Sequence, residues 1–392
     1  MTGGWPPASR RTILQGAIAL AGLAASGLGT RAEDYRPVRC DARLPYAGPP
    51  FHPPVDLRPV KAVPDRPLPS RDIARLDEAF SGIRTLTAAP ALTAAVARPG
   101  RGIWHRSWTQ TAHPRLWWAS VGKTFTAVVV LQLVAEGKLS LDAPVSRFVP
   151  GVPNGDVVTL RDCLAHTSGL FSANEDRLVR ARPGYRDPAA LLAIARRHGA
   201  MFCPGERWRY SNTGYDVLGE IVKRVDGRPI DEAITVRIIA PLGLGSMRAL
   251  APGVSPGDVA PAAASGETID PSWAGAAGPI ASDARDMATA WAALLGGRLL
   301  KRSLLQEMSA TLYPMFDPGT FYGLGIMVFE VPDGRSTLRW VGHAGGAPGV
   351  SSLAAYSRAD NAIAAVALTG GGSATAAANL LLKSLAPTGR RP

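Results

Sequence analysis

The spacing of apolar residues along the chain predicts a helical middle held between strand-rich ends. Val121 to Val134 is apolar on nearly every side, which describes a helix with no wet face and therefore one buried inside the protein. Ile73, Leu76, Phe80 and Ile83 fall on one stripe, predicting a helix over 71–84 that Ser70 would cap. Residues 91–97 and 103–108 read as a hairpin turning at Pro99-Gly100-Arg101-Gly102. The pattern is then mainly helical, with candidates at 160–166, 188–198, 212–225, 230–238 and 282–295, and a long Ala-, Gly-, Pro- and Ser-rich loop over 251–278. From residue 321 the period shortens to two. Strands are predicted over 322–331, 336–341, 350–356 and 362–368, with a turn at Asp333-Gly334 and a last helix over about 374–385. Strands at both ends with helices between them imply a mixed α/β (α+β) domain: one antiparallel sheet, flanked by helices, with an all-helical lobe inserted.

The N-terminal region narrows the picture. Residues 33–70 carry ten prolines and few apolar pairs, the composition of an extended, polyproline-like or disordered linker. Ahead of it, Ser9-Arg10-Arg11-Thr12-Ile13-Leu14-Gln15 and the apolar stretch to about Leu28 read as a twin-arginine signal peptide over residues 1–32, with an uncleaved N-terminal anchor as the alternative. Either places the protein outside the bacterial cytoplasm, periplasmic or extracellular. Residues 71–388 are long enough for one large domain or two intimate subdomains. The α/β part is expected at about 71–118 and 318–388, and the helical lobe at about 119–317.

The net charge of +12 arises almost wholly from arginine, 37 residues against six lysines. These charges are scattered rather than clustered with aromatics, so no nucleic-acid partner is expected. An anionic cell-wall or membrane surface is a better match. Of three cysteines, Cys40 lies in the linker while Cys163 and Cys203 lie in the domain. Two buried thiols are expected there, with a 163–203 bridge as the alternative. No Cys/His cluster has metal-ligand spacing, so neither a metal nor a cofactor is expected.

The chemistry concentrates at the start of the buried helix. Ser120 and Lys123 form a Ser-x-x-Lys motif, the one match in a chain where chance predicts about 0.4. Residues three apart share a helix face, which sets the hydroxyl beside the amine. A lysine in so apolar a setting loses its proton more readily, and a neutral amine next to a hydroxyl is a base next to a nucleophile. A capping serine and a snorkelling lysine are the structural alternative. Tyr210-x-Asn212 follows, where chance predicts about 0.1 matches, after a Pro204-Gly205 turn that suits a loop presenting side chains to a cleft. His343-Ala344-Gly345-Gly346 ends a predicted strand and is weaker, since about 0.6 His-x-Gly matches arise by chance.

In that order, Ser-x-x-Lys, Tyr-x-Asn and His-x-Gly resemble the β-lactamase-related serine hydrolases. This superfamily includes class C β-lactamases, D-alanyl-D-alanine carboxypeptidases, D-aminopeptidases and β-lactamase-like esterases. Its surrounding phrases are matched by Glu136-Gly137-Lys138-Leu139-Ser140-Leu141-Asp142, Leu164 to Leu170, Pro204-Gly205, Ser282 to Asp286 and Tyr322-Gly323-Leu324-Gly325, so the resemblance runs over roughly residues 71–388. It implies a β-lactamase/transpeptidase-like fold with the active site in the cleft between sheet and helical lobe. It makes Ser120 the nucleophile that is acylated and gives Lys123 and Tyr210 the proton traffic, either of them serving as the acylation base. Asn212 is implied to hydrogen-bond the substrate's amide or the Lys123 amine. The oxyanion hole is expected from the N–H groups of Ser120 and Gly346. Gly345 would let substrate backbone approach, and His343 would pair with a substrate carboxylate when protonated.

His343 stands where many β-lactamases of this group have the lysine of Lys-Thr-Gly, which points away from a dedicated β-lactamase. Pro279 interrupts the usual small-residue loop before Ser282. His166 is expected to be structural, near a helix end closed by Gly169, and at least two of Trp117, Trp118 and Trp208 are expected to pack in the core. The implied function is that of an exported serine hydrolase, carboxypeptidase-like or esterase, acting on a peptidoglycan stem peptide, an ester or a β-lactam. The alternatives are a β-lactamase and a non-catalytic peptidoglycan-binding envelope protein.

Overall fold

The computed structural model describes residues 36–385 apart from 111–114, 182–183, 252, 255–256, 265–266 and 334–335. The signal peptide expected at 1–32 lies outside the described residues, as does part of the Asp333-Gly334 turn. The N-terminal hairpin forms as its alternation suggests: β1 (Ala91–Arg98) pairs antiparallel with β2 (Gly102–Thr109). From the C-terminal end come β3 (Tyr313–Pro314), β4 (Thr320–Tyr322), β5 (Met327–Asp333), β6 (Ser336–Ala347), β7 (Val350–Ser357) and β8 (Ala362–Thr369). They make one eight-stranded antiparallel sheet in the order β2-β1-β8-β7-β6-β5-β4-β3. The two ends of the chain meet where β1 lies along β8, Leu92 opposite Leu368 and Ala97 opposite Ile363. The predicted strand at 322–331 is broken by a turn in which the Gly323 N–H donates to the Ile326 carbonyl at 2.9 Å. β6 runs on through Ala347 rather than ending at 341.

The helices that concern the site are α1 (Ser70–Thr87), α2 (Gly122–Ala135), α3 (Leu160–Ala165), α4 (Pro188–His198), α5 (Asn212–Asp226), α6 (Ala284–Leu295) and α7 (Ala374–Ser384). Both faces of the sheet are covered, which is why all eight residues of β8 are buried and the seven from Ala362 to Leu368 are apolar. Leu92, Ala94, Val96, Val366 and Leu368 pack with Leu76, Phe80 and Ile83 of α1 and Leu381 of α7. The alternate residues Ala95, Ala97, Ile363 and Ala365 join Met287 and Trp291 of α6 and the residues of α2 in the second core. Helix α2 buries eleven of its fourteen residues, in keeping with its lack of a polar face.

Several local expectations are corrected. Ser70 does not cap α1; it is the first helical residue, and the capping position is Pro69, whose carbonyl accepts from Asp72 and Ile73. The 251–278 loop contains a short hairpin, Ala262–Ala264 with Glu267–Ile269, and a tight helical stretch over Pro271–Ala277. The Pro-rich segment is no spacer: from residue 36 it is a strap laid on the helical lobe. Val38 donates to the Ala200 carbonyl at 2.9 Å, Leu44 to Pro204 at 2.9 Å, Ala47 to Glu206 at 2.7 Å and His52 to Leu312 at 3.0 Å. Arg43 forks onto the buried Asp162 carboxylate at 2.6 and 3.1 Å. Cys40 is disulfide-bonded to Cys203, so the expectation of two thiols, or of a 163–203 bridge, is overturned; Cys163 alone is free, and buried.

Candidate active site

Ser120 sits in a tight turn, Ala119–Val121, that leads into α2. Ala119 holds φ of +43°, a left-handed conformation that strains a residue with a Cβ and lifts Ser120 out of the helix line. The turn is held by its neighbours. Trp117 donates to the Gly278 carbonyl at 2.8 Å and Trp118 to Ser282 at 3.0 Å, and both rings are buried, as expected for core residues. Pro279 has a place here too. Its ring lies over Gly122, where a Cβ would collide with it, so the residue after the turn has to be glycine.

One helical turn on, the Lys123 amine lies 3.1 Å from the Ser120 hydroxyl and donates to the Ala277 carbonyl at 2.8 Å. It is fully buried, and burial pushes its pKa down from 10.5 to about 7, against the opposing pull of Asp216. Tyr210 brings its hydroxyl into hydrogen bond with Ser120, and its ring lies 4.8 Å beneath the Lys123 nitrogen. Burial raises the Tyr210 pKa above its usual 10, so the phenol keeps its proton. Asn212 opens α5, with its N–H on the Ser172 hydroxyl at 3.2 Å. Its side-chain oxygen has no partner among the described residues, and the bonds of the Lys123 amine go to Ser120 and Ala277 rather than to Asn212.

The strand side of the site is β6. Gly345 lies so close to the turn that a Cβ would overlap the Trp118 carbonyl and the Ser352 hydroxyl and come within 3.0 Å of the Ser120 nitrogen. Its glycine serves the approach of protein backbone, not of substrate, which corrects the role expected for it. Gly346 has open space on its side. The Ala344 N–H reaches sideways to the Met327 sulfur at 3.4 Å. By the two-residue alternation of a strand, the Gly346 N–H projects from that same edge, beyond Gly342, where the pairing with β5 ends.

His343 does not face the cleft as a cation. It is fully buried; its Nδ1 donates to the Ala344 carbonyl at 2.6 Å, and its Nε2 accepts from the Tyr322 hydroxyl at 3.1 Å. Burial, reinforced by the Lys123 charge, drives its pKa to about 3. The expectation that it pairs with a substrate carboxylate fails because both ring nitrogens are already used and the ring is neutral.

Residues 76–386 match the beta-lactamase family model. The chain belongs to the beta-lactamase family. It is 33% identical to the D-stereospecific amidohydrolase from Streptomyces sp., over 78% of this chain and 97% of that one, with a TM-score of 0.67. It is 25% identical to D-amino acid amidase from Ochrobactrum anthropi SV3, over 79% and 98%, with a TM-score of 0.69. Esterase EstB from Burkholderia gladioli is 38% identical over 142 residues, 32% of this chain and 36% of its own. Penicillin-binding protein 4 from Amycolatopsis lactamdurans is 33% identical over 187 residues, 44% and 48% of the two chains. The chain thus spans less than half the length of these two curated relatives.

Two residues of this beta-lactamase family site, Tyr215 and Asp216, were not singled out from the sequence. Tyr215 donates to the Leu164 carbonyl at 3.0 Å and lies 3.2 Å from the Tyr322 hydroxyl, whose own proton goes to His343. His166 ends α3 itself in a left-handed conformation, three residues before Gly169. Its Nδ1 accepts from Ser211 at 3.1 Å and its ring lies 4.1 Å from that of Tyr210, so it acts as a structural support under the tyrosine. Trp208, partly exposed, meets Tyr210 and the exposed Phe316 at the rim. Asp216, one turn beyond Asn212, is the carboxylate that acts on Lys123. Its signal in the sequence is an acid on an otherwise buried helix face. Among the described residues, no group of three or more His, Cys, Asp or Glu could hold a metal ion.

Proposed function

We propose that the chain is an exported serine hydrolase that cleaves a small ester or amide through an acyl-enzyme on Ser120. The observation that carries this reading is the Ser120 hydroxyl held 3.1 Å from a buried amine whose pKa falls to about 7. Neutral Lys123 takes the Ser120 proton as the serine oxygen attacks the carbonyl carbon. Negative charge on the carbonyl oxygen is met by the N–H groups of Ser120 and Gly346, each worth about 10² to 10³ in rate. Tyr210, bonded to Ser120, passes the proton from Lys123 to the departing alcohol or amine, leaving the ester on Ser120. Water then attacks that ester, gives its proton to the same pair, and frees the acid and the serine.

Two features favour a neutral ester or amide over a carboxypeptidase substrate. His343 supplies no positive charge for a terminal carboxylate. The relatives over nearly whole chains are named as an amidohydrolase and an amidase, and a partial one as an esterase. Export rests on the Ser9-Arg10-Arg11-Thr12-Ile13-Leu14-Gln15 motif, and the Cys40–Cys203 disulfide suits an oxidising compartment.

The reading is tested by intact-protein mass spectrometry after exposure to a fluorophosphonate and, separately, to a penicillin. A covalent adduct on Ser120 with at least one reagent is expected, with none in Ser120→Ala. No adduct with either reagent would favour a non-catalytic envelope protein, and labelling that persists in Ser120→Ala would place the nucleophile elsewhere.

A further inference from the structure

Behind the catalytic cleft, between α4 and α5, lies a second cavity of about 450 Å³, within the usual range for small-molecule sites. One layer of protein separates it from the lysine. Ala276 lines the cavity, while the carbonyl of the next residue, Ala277, accepts from the Lys123 amine on the other side. Asp216 is part of the cavity's lining. It is 3% exposed, and its Oδ2 atom has no hydrogen-bond partner among the described residues, an expensive state for a buried carboxylate. Glu220, four residues on along α5, lines the same cavity; two acids at that spacing repel one another. Of the two lining cations, Arg196 and Lys223, the first is already engaged: its guanidinium donates to the Pro150 and Gly151 carbonyls at 2.6 and 2.9 Å.

We propose that this cavity is a second binding site, for a small organic cation such as a primary ammonium, held by the carboxylates of Asp216 and Glu220. An ammonium gives Asp216 the donor it lacks and offsets the repulsion from Glu220. An anion is disfavoured by the same two acids. Lys223 and Arg196 of the lining are exposed, whereas Asp216 is buried. Occupancy is felt at Lys123, since Asp216 acts on both. The other groups around the lysine, Tyr210, Tyr215, His166 and His343, are held neutral by burial. A bound cation adds positive charge near the amine and withdraws the help Asp216 gives to its protonated form. The binding stands independently of the acyl-transfer reading; the coupling to Lys123 rests on it.

Butylammonium is titrated into the full chain by calorimetry at pH 8, with butanol as the neutral control. Saturable binding of butylammonium and none of butanol are expected. Asp216→Asn should weaken binding by about 10- to 100-fold, the size of one charge-assisted hydrogen bond. Ala189→Trp, at an exposed lining position on α4, should do the same by filling the cavity, and it serves as the deciding variant if Asp216→Asn does not fold. Binding that survives both changes, or no binding by wild type up to about 10 mM, a free-energy scale of only a few kcal/mol, overturns the site. In turnover, saturating butylammonium should move the acid limb of kcat/KM to lower pH in wild type and leave Asp216→Asn unmoved. A wild-type limb that stays in place overturns the coupling. A chain with no turnover on any ester or amide counts against the acyl-transfer reading alone, and calorimetry still decides the cavity.

Discussion

Replacing Lys123 with methionine should stabilise the protein while abolishing its chemistry, and the size of the gain should depend on pH. In the unfolded chain the amine titrates near 10.5; in the fold, burial brings it to about 7. Between those values the unfolded state binds more protons than the folded one, so wild-type stability rises with pH across that window and is lowest at and below about pH 7. At about 1.4 kcal/mol per pH unit, the burial penalty at neutral pH is about 5 kcal/mol. Methionine fills similar volume without that penalty but leaves the Ala277 carbonyl without its donor, a loss of about 1–3 kcal/mol. The net expectation is a variant about 2–4 kcal/mol more stable than wild type at pH 7, with the gap closing or reversing by about pH 10.

Asp216 does not blur this window. Burial raises its pKa from 3.8 to about 7, so its own linkage lies mainly below neutrality. Loss of the lysine raises that pKa further, which penalises the variant as pH rises and closes the gap in the same direction. The assay is urea unfolding followed by tryptophan fluorescence, with the disulfide intact, at pH 7, 8.5 and 10. Turnover on a neutral ester is measured alongside and should fall by at least about 10²–10⁴. A stability difference that does not change with pH, or a variant weaker than wild type at pH 7, would refute the claim that Lys123 is buried at the cost of its charge.

Three further outcomes follow from the same geometry. With Lys123 as base, kcat/KM for a neutral ester should climb with pH and level off above about 7, where the amine is neutral; a profile with its acid limb near 4 would point to a carboxylate instead. Tyr210→Phe keeps the ring that His166 supports and loses the hydroxyl, so turnover should drop by about 10²–10⁴ with little change in urea midpoint. Gly345→Ala should push β6 away from the Ser120 turn, reducing kcat by about 10–10³ through the oxyanion donors and destabilising the fold by about 1–3 kcal/mol, read by kinetics and urea unfolding together.

The sequence made the interior legible and the surface attachments illegible. An all-round apolar run such as α2 has one place to go, and the strand expected at 362–368 forms as β8, which the structure shows buried along its whole length. The strap could not be read that way. Ten prolines argue for extended backbone, which is what residues 36–69 adopt, but an extended segment carries no periodicity to say whether a surface lies beneath it. The Cys40–Cys203 pairing depends on that docking, since it is the strap's bonds to Ala200 and Pro204 that bring the two sulfurs together. His343 shows the same limit inside the site. Strand alternation puts it on the face of Gly345, toward the Ser120 turn, but says nothing of depth. The hydroxyl of Tyr322, from β4 two strands away in the sheet order, is what takes its free nitrogen.

That buried ring bears on the proposal that Lys123 acts as a base at neutral pH. Around Lys123 the fold gathers two histidines and three tyrosines, any of which could carry charge, and burial removes the charge from each. His166 and His343 are pushed far below their ordinary pKa, while Tyr210, Tyr215 and Tyr322 are pushed above theirs. None of them can hold the ammonium by ion pairing, and the rings under it offer only their faces. Among the described residues Asp216 is the charge that opposes the loss of the proton, and burial weakens it by keeping part of its own population protonated near pH 7. The lysine and the aspartate therefore titrate together in the same range, and the proton moves between states of equal net charge. A strong, exposed carboxylate in that position would keep the amine charged and useless as a base. A purely apolar residue would push its pKa lower still, making a weaker base that is ready at lower pH. The basicity of Lys123 is set between those extremes by how deeply Asp216 is buried.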